Sequence, residues 1–122
     1  MGLALYHLHH HDEEAIKAYQ RAIELGLRDV DVLGIMGLAL CRLGQYKEAL
    51  VVCDEAIGLK EDKSHPHVGR GNALLGLGRY EEALKEFEYA IKLAPRYKAA
   101  YTGKAEAHEC LARLYHQKAA DL

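Results

Sequence analysis

The sequence predicts an all-α fold in which antiparallel helix pairs stack into a solenoid. Three observations predict it. Residue types recur every 34 positions, each unit has an apolar face at helical spacing, and glycine-containing turns recur at fixed places. The chain has 122 residues, an ordinary size for one domain. We therefore expect a single domain over residues 1–122.

The 34-residue repeat is visible in small and large residues alike. Ala15, Ala49 and Ala83 keep this step, and so do the turn residues Gly44 and Gly78. Further sets with the same step are Ala22, Ala56 and Ala90; Ile23, Ile57 and Ile91; Leu25, Leu59 and Leu93; and Glu14, Glu48 and Glu82. One period shared by many independent positions indicates one structural unit repeated along the chain.

Within a unit, the spacing of apolar residues is helical. In residues 46–59, Ala49, Leu50, Cys53 and Ala56 follow i, i+3, i+4 spacing, and residues 80–93 repeat the pattern. Glycines at the turns suit the positive φ that ends a helix, and we expect Ser64 to cap the helix after it. About seven helices are predicted, at 2–9, 12–25, 30–43, 46–59, 65–77, 80–93 and 97–120.

Composition excludes several classes of function. The formal net charge is −2 with acids and bases interspersed, which argues against a nucleic-acid partner. No apolar run approaches the roughly 20 residues of a membrane helix, so no membrane partner is expected. Three widely spaced cysteines without a CxxC pair argue against a disulfide framework or a zinc site. These features together favour a reducing, cytoplasmic setting.

The blocks LGQYKEAL…DEAIGL and LGRYEEALKEFEYAIKLAP, one period apart, resemble the tetratricopeptide repeat. The resemblance divides the chain into a partial first repeat (1–29), two full repeats (30–63 and 64–97) and a final helix with a cap (98–122). It implies a right-handed superhelix whose concave groove is lined by the first helix of each pair. The large aromatic residue usual early in that helix is absent from the two full repeats.

Carried over residue by residue, the resemblance assigns side chains to the groove. Apolar contact is expected from some of them, and hydrogen bonds or charge from the others. The expected groove residues are Ile35, Leu38 and Arg42; His65, Val68, Asn72 and Leu75; and Thr102, Glu106 and Glu109. Gly34, Gly69 and Gly103 are expected to let a ligand approach the helix backbones.

The function implied by the resemblance is a protein-interaction scaffold that holds a peptide or helix of a partner protein, without a cofactor. Members of this family that clamp the C-terminal carboxylate of heat-shock chaperones use lysine and asparagine from early repeats, together with lysine and arginine from a later one. Here only Asn72 matches, so a carboxylate clamp is not expected. No arrangement of nucleophile, base or paired carboxylates indicates an enzyme.

Three alternatives stay open from the sequence. His7, His10 and His11 have i, i+3, i+4 spacing and could bind a metal, although a solvated turn is the simpler interpretation. Apolar residues at both ends of the repeat array could instead mediate homo-oligomerisation. The chain could also be a substrate-recruiting segment of a larger enzyme or secretion machine.

Overall fold

The computed structural model describes residues 2–121, with side chains from residue 11 onward. Over that range the secondary structure is helical, and the helices number six. They are α1 (Gly2–Glu24), α2 (Val30–Arg42), α3 (Tyr46–Leu59), α4 (Ser64–Gly76), α5 (Tyr80–Leu93) and α6 (Lys98–Ala120). The bounds of α3 and α5 are those predicted from the sequence, and the all-α solenoid is confirmed.

The prediction of seven helices is wrong at the N-terminus. Residues 2–9 and 12–25 were expected as two helices, but α1 runs without a break from Gly2 to Glu24. The predicted turn, His10-His11-Asp12, contains neither glycine nor proline. Since nothing there favours a positive φ or removes a backbone donor, the helix continues.

Two glycines end α2 and α4 in the same way. Gly44 and Gly78 both have a φ of 78°. The amide of the following residue reaches back to the helix, so that Gln45 donates to the Leu40 carbonyl at 2.9 Å. Satisfying the last carbonyls in this manner lets the chain reverse at once into the next helix.

The predicted N-terminal cap of α4 is wrong. Ser64 is the first residue of α4, not its cap, and the cap position is held by Lys63 without a side-chain hydrogen bond. By contrast, Asp29 caps α2, because its carboxylate accepts from the amide of Val32 at 2.9 Å.

Consecutive helices pack against each other, and α2, α4 and α6 also contact one another in a row. We call these three the first helices, and α3 and α5 the second helices. Each second helix inserts one side chain against two glycines of the neighbouring first helices. Cys53 lies against Gly37 and Gly69, and Phe87 lies against Gly71 and Gly103. The missing side chains allow the helices to approach closely.

This packing corrects two expectations about the groove. Gly69 and Gly103 face the second helices, so their bare backbones are covered by Cys53 and Phe87 instead of being open to a ligand. Val68 has no exposed surface and lies in the core cluster that contains Phe87. Its side chain therefore contributes to stability and not to a binding surface. No helix of the described residues is long and apolar enough to cross a membrane.

Candidate functional site

The row of first helices forms a groove with a pocket of about 400 Å³, which we call the central groove. All three first helices contribute to its lining. The lining residues are Leu38, Cys41 and Arg42 of α2; Asn72, Leu75 and Gly76 of α4; Glu106 and Cys110 of α6; and Tyr46 of α3. Five of the predicted groove residues are thus brought together: Leu38, Arg42, Asn72, Leu75 and Glu106.

The apolar part of the central groove comes from leucines and a tyrosine. Leu38 and Leu75 are half-buried against the core, which fixes their positions. The ring of Tyr46 lies directly over Gly76, where any side chain would collide with it. Sequence reasoning missed Tyr46 because it stands at the start of a second helix. Tyr46 and Tyr80 are 34 residues apart, which shows that both occupy the same position of the repeat. This spacing does not show in which direction the ring points.

Arg42 is tied to the first repeat by an ion pair. Its Nε donates to Oδ1 of Asp12 at 2.9 Å, and the Asp12 side chain is only 10% exposed. Asp12 stands 34 residues before Tyr46, so a carboxylate occupies the place where the later repeat has an aromatic ring. A buried carboxylate needs a paired charge, and Arg42 supplies it while 59% of its own side chain stays exposed.

Asn72 and Glu106 are the other polar side chains of the central groove. Asn72 lies on the middle helix of the three, and Glu106 lies on the α6 wall. Within the part of the chain that the structure describes, neither makes a hydrogen bond or ion pair with another residue. Both are therefore free to bond to a ligand, since no internal contact has to be broken first.

Burial keeps one cysteine of the groove, Cys41, in the thiol form. The Cys41 thiol donates to the Gly69 carbonyl, with 3.4 Å between sulfur and oxygen. Burial raises the pKa of the Cys41 thiol to about 12, against a smaller lowering by Arg42. At neutral pH Cys41 is therefore a thiol and lacks the thiolate that nucleophilic or redox chemistry needs.

The remaining predicted residues lie outside the central groove. Ile35 is exposed on α2, and Glu109 is exposed on α6 one turn beyond Glu106. His65 packs over Gly34 at the start of α4, with its Nε2 3.4 Å from Oδ1 of Asp31.

Thr102 and Val68 complete the predicted set. Thr102 is exposed, and its hydroxyl donates to the Lys98 carbonyl at 3.2 Å. Val68 lies in the core, so it can offer no contact at the surface. One position of the repeat is therefore exposed in α6 and buried in α4.

A polar network on the other side of α4 fixes this helix against α5. Nδ1 of His67 lies 2.8 Å from Oε2 of Glu86, and Nε2 lies 2.9 Å from the Glu61 carbonyl. Arg70 donates to Oε1 of Glu86 at 2.8 Å and to Oδ1 of Asp54 at 2.6 Å. Both ring nitrogens of His67 thus face oxygen acceptors, which favours the doubly protonated ring.

The pKa of His67 follows from the same contacts. Burial on its own lowers the pKa of this imidazole, but the hydrogen bonds to Glu86 and to the Glu61 carbonyl outweigh it. The net effect raises the pKa above its usual value of 6.5. His67 has only 5% of its surface exposed, so the charge of its protonated form is balanced by groups inside the protein and not by water.

The possible metal site at His7, His10 and His11 cannot be placed, because the side chains of His7 and His10 lie outside the described residues. His11 is exposed on α1. Between residues 11 and 121, no three histidine, cysteine or carboxylate side chains come together as metal ligands would.

The sequence matches family models for this architecture over most of its length. Two models described as tetratricopeptide repeat match residues 1–66 and 65–97. The chain belongs to the tetratricopeptide repeat family. The resemblance inferred from the sequence blocks is therefore confirmed.

Solved structures with this fold are similar over nearly the whole chain. The first tetratricopeptide domain of human RPAP3 superposes with a TM-score of 0.76 at 24% identity, covering 93% of this chain and 94% of that one. The second such domain of human RPAP3, in complex with the HSP70 peptide SGPTIEEVD, gives 0.70 at 30% identity, with 80% and 81% covered. The domain of Arabidopsis OM64 gives 0.74 at 25% identity, with 88% of both chains covered.

No curated protein matches the sequence. Tetratricopeptide repeats are generally non-catalytic modules of protein interaction. The fold of this chain is accordingly that of a protein-interaction scaffold.

Proposed function

We propose that this protein binds a segment of a partner protein in the central groove. The observation that carries the proposal is the convergence of all three first helices on one pocket of about 400 Å³. Leu38, Leu75 and Tyr46 offer apolar contact, and Asn72 offers an amide without an internal partner. Grooves between helices that combine an apolar floor with a few free polar groups recognise peptides and amphipathic helices.

The groove is preorganised for such a ligand. Leu38 and Leu75 pack against the core, and α2, α4 and α6 are held by the tight contacts at Cys53 and Phe87. Since the binding surface is already ordered, a ligand meets a smaller entropic cost on the protein side. The ordering cost then falls on the partner segment.

The groove is not proposed as a carboxylate clamp. Among its described lining residues there is no lysine, and the one arginine is paired with Asp12. Two relatives are seen with chaperone peptides, the second RPAP3 domain with SGPTIEEVD and the first domain of Spaghetti with SRMEEVD. Both peptides carry three acidic residues. Glu106 in the present groove would repel such a tail instead of binding it.

The test is affinity capture with matched baits. The native chain is compared with Leu38→Gln combined with Asn72→Ala, and with a control, Val51→Gln, whose residue is 67% exposed on α3. We expect partners that the native and control baits retain and the groove variant loses. Circular dichroism and light scattering establish that all three baits are folded and in the same assembly state. Equal recovery by all three baits would exclude the central groove as the binding site.

A second candidate function is self-assembly through the end of the stack. Leu114 and Tyr115 of α6 are 39% and 56% exposed, and Leu111 and Leu114 line a pocket beside the Gly78 turn. Another copy could cover these side chains. Light scattering across a hundredfold range of concentration tests this, with Leu114→Gln as the variant. A mass that stays at one chain throughout would reject it. Recruitment within a larger machine stays a prediction from the sequence.

A further inference from the structure

The charges around the central groove are neutralised on one wall and not on the other. On the α2 wall, Arg42 is paired with the nearly buried Asp12 at 2.9 Å. A pair of this kind leaves little net positive field, because the two charges cancel at a distance larger than their separation. The α2 wall is therefore close to neutral toward a ligand.

The α6 wall carries two carboxylates without partners. Glu106 lines the central groove, and Glu109 lies one turn further along the same side of α6. Both are exposed. Neither forms an ion pair with any described side chain, and this includes Arg113, four residues beyond Glu109. The central groove thus combines a neutral wall and an apolar floor with one unpaired carboxylate in its lining, Glu106, and a second one turn beyond it, Glu109.

We propose that the central groove selects a partner segment with an apolar side chain followed or preceded by lysine or arginine. The apolar side chain lies between Leu38 and Leu75, and the cation lies against Glu106 and Glu109. Charge complementarity carries this assignment, since a cation offsets two unpaired carboxylates while an acidic segment adds a third negative charge. The inference rests on the proposed function and specifies the chemistry of its ligand.

Two synthetic probes separate this proposal from simple groove binding. Both are fluorescein-labelled peptides with one central leucine, and they differ only in having lysine or glutamate on either side of it. Fluorescence anisotropy measures the Kd of each for the native chain. We expect the lysine peptide to bind at least about tenfold more tightly, which corresponds to a modest gain from two exposed charge contacts.

Charge variants locate the effect. Glu106→Gln with Glu109→Gln should raise the Kd of the lysine peptide about tenfold and narrow the gap between the two probes. The matched control is Glu48→Gln with Glu88→Gln, which changes the net charge equally at exposed positions on α3 and α5. The control should bind like the native chain. At about 1 M salt the advantage of the lysine peptide should largely vanish, because exposed charges are screened.

The outcomes distinguish the two proposals. If Leu38→Gln weakens both probes while the Glu106 and Glu109 variant binds as the native chain does, the groove binds peptides but the charge inference is overturned. Tighter binding of the glutamate peptide, an equal loss in the control, or no binding of the lysine peptide to the native chain also overturns it. If Leu38→Gln leaves a measurable Kd unchanged, the proposed function itself fails.

Discussion

In the layer formed by α2, α3 and α4, a cysteine occupies the position that a phenylalanine occupies in the layer formed by α4, α5 and α6. Cys53 and Phe87 are 34 residues apart, both are fully buried, and each lies against two glycines of the flanking first helices. We call these the cysteine layer and the phenylalanine layer. The two layers have the same arrangement of helices, but the buried side chain between them is small in one and large in the other.

The difference in volume accompanies a difference in how extensively the first helices contact each other. The contact between α2 and α4 is more extensive than that between α4 and α6. A thiol between two glycine faces lets the first helices approach, whereas an aromatic ring holds them apart. Glu106 and Cys110 of α6 line the central groove on the side of the larger residue. We therefore expect a core side chain on a second helix to influence how closely the first helices approach each other.

The largest effect on stability is expected when the buried ring of the phenylalanine layer is removed. Phe87→Ala removes a fully buried ring and should lower the free energy of unfolding by about 3–5 kcal/mol. Cys53→Ala removes only a sulfur atom and should cost about 1 kcal/mol, near the value of one buried methylene group. Urea unfolding followed by circular dichroism measures both. Equal losses would show that the two layers do not differ as described.

A smaller effect is expected from filling a glycine position. A Cβ at Gly69 would lie 2.6 Å from Sγ of Cys53, so the buried thiol must shift. Gly69→Ala should therefore cost about 1–3 kcal/mol from overpacking, less the gain of up to about 1 kcal/mol in helix propensity.

Gly58→Ala is the control for that substitution. Gly58 is also helical, but nothing lies within 4 Å of the Cβ that would be added. This variant should be neutral or stabilising by up to about 1 kcal/mol, as measured by the same urea unfolding. If Gly69→Ala stabilises the protein as much as Gly58→Ala does, the contact between α3 and α4 is looser than the structure describes.

Structural features that recur in several repeats can be predicted from the sequence, whereas features found in a single repeat cannot. The bounds of α3 and α5 follow from glycine turns and from the apolar face, which two units share. The continuity of α1 could not be predicted in this way, since the segment His10-His11-Asp12 has no equivalent elsewhere in the chain. The ion pair between Asp12 and Arg42 also has no counterpart in the later repeats. Predicting it would require the positions of two helices relative to each other.

The residues predicted for the groove differ in where the structure places them. Leu38, Asn72 and Glu106 share one position of the repeat, and all three line the central groove. Val68 lies four residues before Asn72 and was assigned to the same face, yet it is fully buried. On a helix with 3.6 residues per turn, a step of four residues turns the side chain by about 40°. Periodicity alone cannot tell whether that turn leads into the core.

The two layers also differ in how the first helix is held at its start. Leu33 in α2 is buried among Val30 and Ala56. His67 stands one period later in α4 and bonds instead to Glu86 and to the Glu61 carbonyl. The contact is apolar in the cysteine layer and ionisable in the phenylalanine layer. We therefore expect the stability that the His67 contacts provide to depend on pH.

The sign of this dependence follows from the raised pKa of His67. Since the folded state binds the proton more tightly than the unfolded chain, the contribution is complete below the unfolded pKa of 6.5 and is lost as the pH rises through the folded value. Between about pH 5.5 and about pH 8.5 we therefore expect the free energy of unfolding to fall, because His67 loses the proton that the folded state binds more tightly.

The measurement compares the native chain with His67→Leu, which copies the residue of the cysteine layer, and with His108→Gln, which alters an exposed histidine of α6. Urea unfolding across this pH range should show the decline in the native chain and in the His108 variant, and a flatter profile in His67→Leu. Arg70, Asp54 and Tyr89 also face this network. They stay in place in all three proteins, so a decline that persists in His67→Leu would assign the pH dependence to groups other than this imidazole.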